Sequence, residues 1–196
     1  AQALTPLLDK EALQTALDRF EPRLQGRYLA LMQAKLGLDA TDNAATQAGD
    51  EALIATLLQL LQAQRLDYTR FLRGLCEFVA TGESNSWLLQ GGDQAAIEGW
   101  LVDYRQHINH QQVNRQHSGS LPDPDRAARM RQHNPKFVLR NYLAQQVIDA
   151  AKDGDTQPLD QLLQVLRDPY AEHPQWVEFA NPAPAWAAGL SVSCSS

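Results

Sequence analysis

The sequence predicts an all-α protein, and three observations support this fold class. Apolar residues recur at intervals of three and four along most of the 196-residue chain. Side chains that favour helix N-caps precede several of these stripes, and glycines follow some of them. Before the last few residues there is no convincing strand-and-hairpin pattern. With 44% hydrophobic residues, the chain can bury a sizeable core.

The first helix is expected to begin after Asp9, a favourable N-cap. Its apolar stripe consists of Leu13, Ala16, Leu17 and Phe20. Pro22 is expected to kink or end this helix, because proline lacks the amide hydrogen that a helix interior needs. The stripe then resumes up to Gly37 with Leu24, Tyr28, Leu31 and Met32.

Three helices are predicted in the middle of the chain. Residues 39–49 are small and polar, which indicates a loop before the first of them. The apolar stripes of the three helices cover residues 53–61, 68–79 and 97–108. The first of these stripes is so wide that burial on several sides is expected.

The C-terminal third is predicted to contain two more helices. Asn134 and Pro135 are well suited to the N-cap and first helical position, so a strong helix is expected to start there. Gly154 is expected to end it, and a short partner helix follows over residues 156–166.

These elements predict a helical domain over residues 1–167 and an extended strap over 168–196. Within the domain, the sequence indicates subdomains 1–81 and 93–167, together with an internal polar linker at 109–125 that ends in two prolines. In the strap, prolines oppose regular helix and large aromatic side chains can anchor an extended chain. The residues concerned are Pro169, Pro174, Pro182 and Pro184, with Tyr170, Trp176, Phe179 and Trp186.

Composition argues against several classes of partner. The net charge of −6 and the pI near 5.3 give no reason to expect nucleic acid or an anionic membrane surface as a partner. No apolar run approaches the roughly 20 residues of a spanning helix. Two cysteines cannot form a disulfide framework, so the expected compartment is a reducing cytoplasm. The first residues lack an initiator Met, which favours a piece cut from a longer polypeptide.

Motifs for nucleotide, calcium or nucleophilic chemistry are missing from the sequence. No glycine-rich phosphate loop or nucleophile elbow occurs, so no catalytic residue is predicted. His107, His110 and His117 invite a zinc interpretation, but no further ligand pattern accompanies them. We interpret these three as solvated histidines and predict no metal site.

A locally basic stretch surrounds the predicted helix start at Asn134. A cation in a helix's first turn opposes the helix dipole, so Lys136 needs a compensating negative charge. A bound anion, with Arg129 or Arg131 nearby, is one candidate. The favoured alternative is a docking surface whose acidic partner lies elsewhere in the protein.

The two cysteines lie in different settings. Cys76 falls on an apolar stripe, which indicates packing, since free cysteine behaves as a small hydrophobe. Cys194 is followed by only two residues of this sequence and belongs to no such stripe. It is therefore either an inert thiol or a redox site, and reactivity would need a lowered thiol pKa or a second sulfur nearby.

Several segments resemble the SelO (selenoprotein O) family. The longest is NPKFVLRNYLAQ at residues 134–145, accompanied by LLQVLRDPY at 162–170 and the closing Ser193-Cys194-Ser195-Ser196. RLDYT at 65–69 and YLALM at 28–32 are similar to the same pattern. Their order and spacing resemble the family's C-terminal region, so the resemblance covers essentially the whole chain.

The resemblance implies a protein-kinase-like fold that transfers AMP from ATP to protein hydroxyls. It also implies that the nucleotide- and metal-binding residues lie in an N-terminal half outside this chain. ATP and Mg²⁺ are thus expected in the full-length parent and not on this fragment. Only Cys194 is carried over, because the family has selenocysteine or cysteine at the matching position.

The leading hypothesis is therefore the C-terminal helical part of a bacterial, cytoplasmic protein adenylyltransferase with a redox-type terminal cysteine. Its expected partners are the N-terminal kinase-like portion of the same polypeptide and the protein substrates of the parent. The fragment alone is expected to be inactive. The alternative is an independent helical protein-interaction module without catalysis.

Overall fold

The computed structural model describes residues 9–39, 43–113 and 121–190. Over these ranges the chain forms helices and connecting segments and no strand, which confirms the all-α class. The α-helices are α1 (Lys10–Asp18), α2 (Phe20–Leu36), α3 (Ala44–Ala63), α4 (Tyr68–Thr81), α5 (Ser86–Leu89), α6 (Gln94–Val113), α7 (Pro124–Arg131), α8 (Asn141–Lys152) and α9 (Gln157–Arg167). Two 3₁₀ helices follow at Pro174–Ala180 and Ala185–Gly189.

The main core lies between the second half of α2 and helices α3, α4, α6 and α7. Helix α4 is buried on almost every side, and Cys76 is fully buried in it, which matches the predicted packing role. Aromatic rings join α4 to α6: Phe71 meets Trp100 edge-on at 5.9 Å, and Trp100 stacks on Tyr104 at 5.3 Å. Such pairs add to the stabilisation from apolar burial.

The C-terminal end of α2 is closed by side chains from two other helices. Gly37 adopts a left-handed φ of 65°, and a Cβ there would lie 2.8 Å from the Met130 side chain, so only glycine fits. Tyr104 Oη donates to the carbonyl of Leu36 at 2.7 Å, and Arg126 Nη1 donates to that of Gly37 at 2.8 Å. The terminal carbonyls, which have no partner within the helix, are thereby satisfied.

A buried polar cluster ties α2, α3 and α6 together around Asp50. This carboxylate is fully buried and accepts hydrogen bonds from Gln33 Nε2 and Gln111 Nε2, each at 2.7 Å. His107 Nε2 lies 2.6 Å from the same carboxylate. The interpretation of all three histidines as solvated is therefore wrong for His107. His110 is exposed, and His117 lies outside the described residues.

Two predicted loops are partly helical because of this cluster. The loop expected over 39–49 is wrong for its second half, since α3 begins at Ala44 with Asn43 as N-cap. The linker expected from residue 109 is likewise wrong at its start, because α6 continues to Val113. Inward-facing Ile108 and Gln111 hold that last turn against the core.

The helix predicted to start at Asn134 starts instead at Asn141. Asn134 is buried, and its Nδ2 donates to the carbonyls of Lys35 at 2.7 Å and Met130 at 3.0 Å, so it caps no helix. The next residues form no helix, and the amides of Lys136 and Phe137 donate to the carbonyl of Pro169 at 2.8 and 3.2 Å. Burial of the Phe137 ring outweighs the favourable N-cap sequence.

A second, smaller core joins this non-helical segment to α8, α9 and the first 3₁₀ helix. It contains two clusters of buried residues: Phe137, Val165 and Ala180 in one, and Tyr142, Leu143 and Leu162 in the other. The main core draws on residues 32–130 and therefore includes parts of both predicted subdomains.

The strap was predicted to be extended, but residues 168–190 are not extended throughout. Two 3₁₀ helices occupy much of them: Pro174 begins the first and Pro184 immediately precedes the second, positions where the missing amide hydrogen costs nothing. Trp176 and Phe179 pack against the second core, whereas Trp186 is 55% exposed and touches Tyr142 edge-on. Within the described residues, no helix combines the length and apolar character needed to cross a bilayer.

Replacing Asp50 tests the buried polar cluster. Asp50→Ala removes the shared acceptor of two buried amides and His107, so we expect the free energy of unfolding to fall by about 3 kcal/mol. Urea unfolding followed by far-UV circular dichroism measures the change. Asp103→Ala, at an exposed position of α6, is the matched control and is expected to change stability by less than about 0.5 kcal/mol. Equal effects of both variants would contradict the structural role of Asp50.

Candidate functional site

Two buried arginines of α4 mark the most highly charged interior region of the described chain. Arg70 is 7% exposed and Arg73 is 3% exposed. A guanidinium removed from water is costly unless its N–H groups find acceptors and its charge finds a counter-ion. The spacing of three residues places both side chains on one face of α4, toward the second core.

Arg73 joins the non-helical segment after α7 to the segment after α9. Its Nη1 donates to the carbonyl of Asn134 at 2.9 Å, and its Nη2 donates to that of Tyr170 at 3.2 Å. The same Nη2 forms a short hydrogen-bonded ion pair with the Glu172 carboxylate. Lys136 Nζ binds the other carboxylate oxygen at 2.7 Å, so Glu172 bridges two cations.

Arg70 holds the end of the first 3₁₀ helix. Its Nη1 donates to the carbonyl of Ala180 at 2.7 Å, and its Nη2 donates to Gln90 Oε1 at 2.8 Å. The guanidinium lies over the Trp87 ring, 4.6 Å from the ring centroid, which is a cation–π geometry. Asp67, the N-cap of α4, provides negative charge nearby and pairs with Arg140 at 2.6 Å.

Both carboxylates of this region have pKa values below their usual range. Partial burial alone would raise the pKa of Asp67, but hydrogen bonds from Arg140 and from the backbone of Arg70 outweigh it. Burial likewise opposes ionisation of Glu172, whose pKa is nevertheless lowered by hydrogen bonds from Lys136 and Arg73. Both groups are therefore ionised at neutral pH.

The three anion-site candidates are not brought together at a helix N-terminus. Lys136 lies in the non-helical segment before α8 and pairs with Glu172. Arg131 lies in the last turn of α7 and pairs with Glu77 at 2.6 Å, and Arg129 is exposed on the same helix. The acidic partners of Lys136 and Arg131 thus come from this chain. No helix begins at Asn134, where the anion site was expected.

The cysteines differ in what the structure describes. Burial raises the pKa of the Cys76 thiol, which is held against the carbonyl of Leu72 at 3.3 Å, so it is protonated and packed rather than nucleophilic. Cys194 lies outside the described residues. No group of three or more His, Cys, Asp or Glu side chains in the described ranges is arranged to hold a metal ion.

Comparison with known proteins shows the family. The profile of the family described as Protein adenylyltransferase SelO matches residues 1–167. The chain belongs to the SelO family. Its relatives include proteins named Protein nucleotidyltransferase YdiU from Photobacterium profundum, 40% identical over 99% of this chain, and from Vibrio cholerae, 41% identical over all of it. A third, from Aeromonas salmonicida, is 42% identical over the whole chain.

This SelO-family chain spans only part of its relatives. It covers 38% of the Photobacterium and Vibrio proteins and 39% of the Aeromonas protein. The matched region is the C-terminal part of those proteins, as the resemblance implied.

Sequence reasoning missed the residues that organise this part of the SelO-family chain. Arg70 and Arg73 interrupt the apolar stripe of α4, and two cations three residues apart on a core-facing helix indicate buried ion pairs. Asp50 gave a similar signal, since it lies three residues before the wide apolar stripe of α3. In each case a charge beside core leucines was the available clue.

The Glu172 bridge predicts a dependence of stability on pH. Because the pKa of Glu172 is lower in the folded protein than in the unfolded chain, its stabilisation is present above the usual glutamate pKa of about 4.3 and is lost as the pH falls through the folded-state value. At pH 7, Glu172→Gln is expected to reduce the free energy of unfolding by about 0.5–1 kcal/mol, a small value because this side chain is largely exposed.

Urea unfolding at pH 7 and pH 3.5 measures the effect. The difference between wild type and Glu172→Gln should shrink at the lower pH. Glu178→Gln, an exposed glutamate of the same segment, is the control and should show little difference at either pH. A Glu172→Gln effect that stays constant across this range would contradict the ion-pair assignment.

Proposed function

We propose that this chain is the C-terminal helical part of a protein adenylyltransferase, which transfers AMP from ATP to Ser, Thr or Tyr hydroxyls of proteins. The observation that carries the proposal is the match of the entire chain, at about 40% identity, to proteins named nucleotidyltransferases. The family description, Protein adenylyltransferase SelO, supports AMP as the transferred group. The full-length polypeptide that contains this chain is called the parent below.

The proposal divides the work between two parts of the parent. An N-terminal portion with a protein-kinase-like fold binds ATP and Mg²⁺ and carries the catalytic residues. This chain supplies a rigid helical support, in which buried groups such as Arg73 and Asp50 are fixed by hydrogen bonds. The dependence on ATP and the shortage of cysteines favour the cytoplasm as the compartment.

The chemistry of the transfer defines what to measure. A protein hydroxyl oxygen forms a bond to the α-phosphorus of ATP, the bond from that phosphorus to the pyrophosphate oxygen breaks, and the hydroxyl proton is lost to a base. The α-phosphate therefore stays on the protein, and pyrophosphate leaves. Phosphoryl transfer would instead leave the γ-phosphate on the protein.

Radiolabelled ATP distinguishes these outcomes. We expect the parent, with Mg²⁺, to incorporate label from [α-³²P]ATP and not from [γ-³²P]ATP into protein. The 196-residue chain alone is expected to incorporate neither label and to show no micromolar ATP binding by calorimetry. Label from the γ-position would contradict adenylyl transfer, and micromolar ATP binding by the chain alone would contradict the division of work.

A second candidate function is a helical protein-interaction module that acts without catalysis. The observation that favours it is the row of exposed apolar side chains on α1 and α2, which is typical of an interaction surface. The sequence of the parent before residue 1 separates the two candidates. A glycine-rich loop, a strand with lysine and metal-binding Asp and Asn residues support the transferase, and a sequence without them supports the module.

We also propose that Cys194 is a redox site that regulates the parent. The proposal is supported by the resemblance of the closing residues to the family's terminal cysteine or selenocysteine position. Cys76 is a poor partner for it, because that thiol is fully buried. A second sulfur in the N-terminal portion is the better candidate.

Mass spectrometry of the C-terminal peptide tests the redox role. In the parent, we expect Cys194 to become disulfide-bonded under mild oxidant and to be released by dithiothreitol, with AMP transfer changing at the same time. Cys194→Ser should remove the redox dependence of AMP transfer, whereas the neighbouring control Ser195→Ala should keep it. A thiol that stays reduced throughout would contradict the role.

A further inference from the structure

A continuous apolar face on α1 and the first half of α2 has no partner among the described residues. Its most exposed members range from 41% to 63% exposed: Leu17, Phe20, Leu24, Tyr28 and Leu31. Their spacings of three and four residues place them on one side of the helices. The sequence predicted this stripe correctly, but in the structure only its last member, Met32, enters the core. We call residues 13–31 of this stripe the N-terminal face.

A short helix such as α1 needs a packing partner for its apolar face. Helix α1 has nine residues and none of them is buried. Isolated helices shorter than about 12–15 residues are marginal in water, and most helices in proteins depend on packing of an apolar face. Single exposed residues, such as Val102 on α6, need no such explanation, but a row of five does.

The face continues into a groove between α2 and α3. The groove has a volume of about 380 Å³, and Tyr28 of the face forms part of its wall. Leu29 and Ile54 lie deeper, with Ala55 and Leu58 along the α3 side. An apolar side chain or short helix that covers the N-terminal face could therefore insert an anchor here.

A row of arginines borders the N-terminal face. Arg19, Arg23 and Arg27 follow one another at intervals of four residues, and all three are exposed. None forms an ion pair with another residue of the described ranges. Like charges at this spacing destabilise a helix by a few tenths of a kcal/mol per pair. A covering surface with acidic groups at its edge would remove that repulsion.

These observations favour a different polypeptide surface over a second copy of this chain. A two-fold symmetric contact would place the same face, with the same arginine row, against itself. The relatives of this chain are more than twice its length, and the match lies in their C-terminal part. The unmatched N-terminal part of such a protein is therefore available at high effective concentration.

We infer that the N-terminal face and its groove are the docking surface for the N-terminal portion of the parent, through an apolar patch with an acidic edge. The inference depends on the proposed function in one respect, namely the catalytic activity assigned to the N-terminal portion. It specifies which surface of this chain the portion covers, and it assigns the arginine row the role of setting the orientation of docking.

Hydrogen–deuterium exchange tests the location of the contact. Exchange of amides 10–31 should be at least about tenfold slower in the parent than in the 196-residue chain, whereas amides 97–108 of α6 should differ little. Equal exchange of 10–31 in both proteins would overturn the inference. So would protection that appears in the chain alone as its concentration rises, because that result would indicate a second copy.

Substitutions test the chemistry of the contact. In the parent, Phe20→Asp and Arg23→Glu should each increase exchange of amides 10–31 at least about threefold, and the Arg23→Glu effect should diminish at 0.5 M NaCl. Val102→Asp, an equally exposed apolar position on α6, is the control and should leave those amides unchanged. Loss of protection in all three variants alike would overturn the inference.

Two further measurements keep the outcome separate from folding and from AMP transfer. Circular dichroism of the isolated chain should be unaltered by Phe20→Asp, since that side chain is 63% exposed. Incorporation of label from [α-³²P]ATP is scored independently of exchange. Protection of amides 10–31 in a parent that transfers no AMP would support the docking surface and contradict the proposed function. AMP transfer by a parent in which these amides are unprotected would support the proposed function and contradict the docking surface.

Discussion

Burial of the two α4 guanidinium groups is the constraint on which the C-terminal half of this structure depends. Arg73 cannot leave water without acceptors, and the acceptors it uses are backbone carbonyls of two non-helical segments plus the Glu172 carboxylate. Arg70 repeats the arrangement at the carbonyl of Ala180. Displacing either segment would leave a buried guanidinium without its acceptors. These irregular segments are therefore fixed in position although they are not helical. The non-helical path of residues 135–140, which replaces an expected helix, follows from the same requirement together with the burial of Phe137.

The buried side chain of Asp50 has the corresponding role in the other half. Asp50 gathers side chains from α2 and α6 onto α3, and its partners fix the last turn of α6. The main core is therefore apolar packing between helices whose relative rotation is set by a few directional polar contacts. Apolar contacts alone are non-directional, and such buried hydrogen-bonded groups are one way in which a helical protein selects one arrangement among several. This division suits the proposed role as a rigid support within a longer enzyme.

Helix existence followed from the sequence more reliably than helix ends. The 3.6-residue periodicity of the main stripes predicted α2 to α4, α6 and α9, because their apolar faces are long and regular. Errors came where a tertiary contact overrode a local preference, as at Asn134, whose side chain bonds to α2 and α7 instead of capping a helix. The same holds for the strap, in which the prolines proved compatible with 3₁₀ turns. Of the candidate site, the acidic partners of Lys136 and Arg131 could not be named in advance, since Glu172 and Glu77 are 36 and 54 residues away in sequence. Pairing over such distances depends on the folded topology, which periodicity does not encode.

Helix α2 has one further property that its two halves create together. Its 17 residues span about 25 Å, with the outer half carrying the uncovered side chains and the inner half lodged between α3, α4 and α7. After Pro22 the helix continues without a break to Leu36, with Gly26 in its interior. Gln33 and the carbonyl of Lys35, near its inner end, touch Asp50 and Asn134 respectively. A tilt of the whole helix would therefore displace Gln33 and the carbonyl of Lys35 from these buried partners. A partner that binds the outer half of α2 is thus coupled mechanically to the main core.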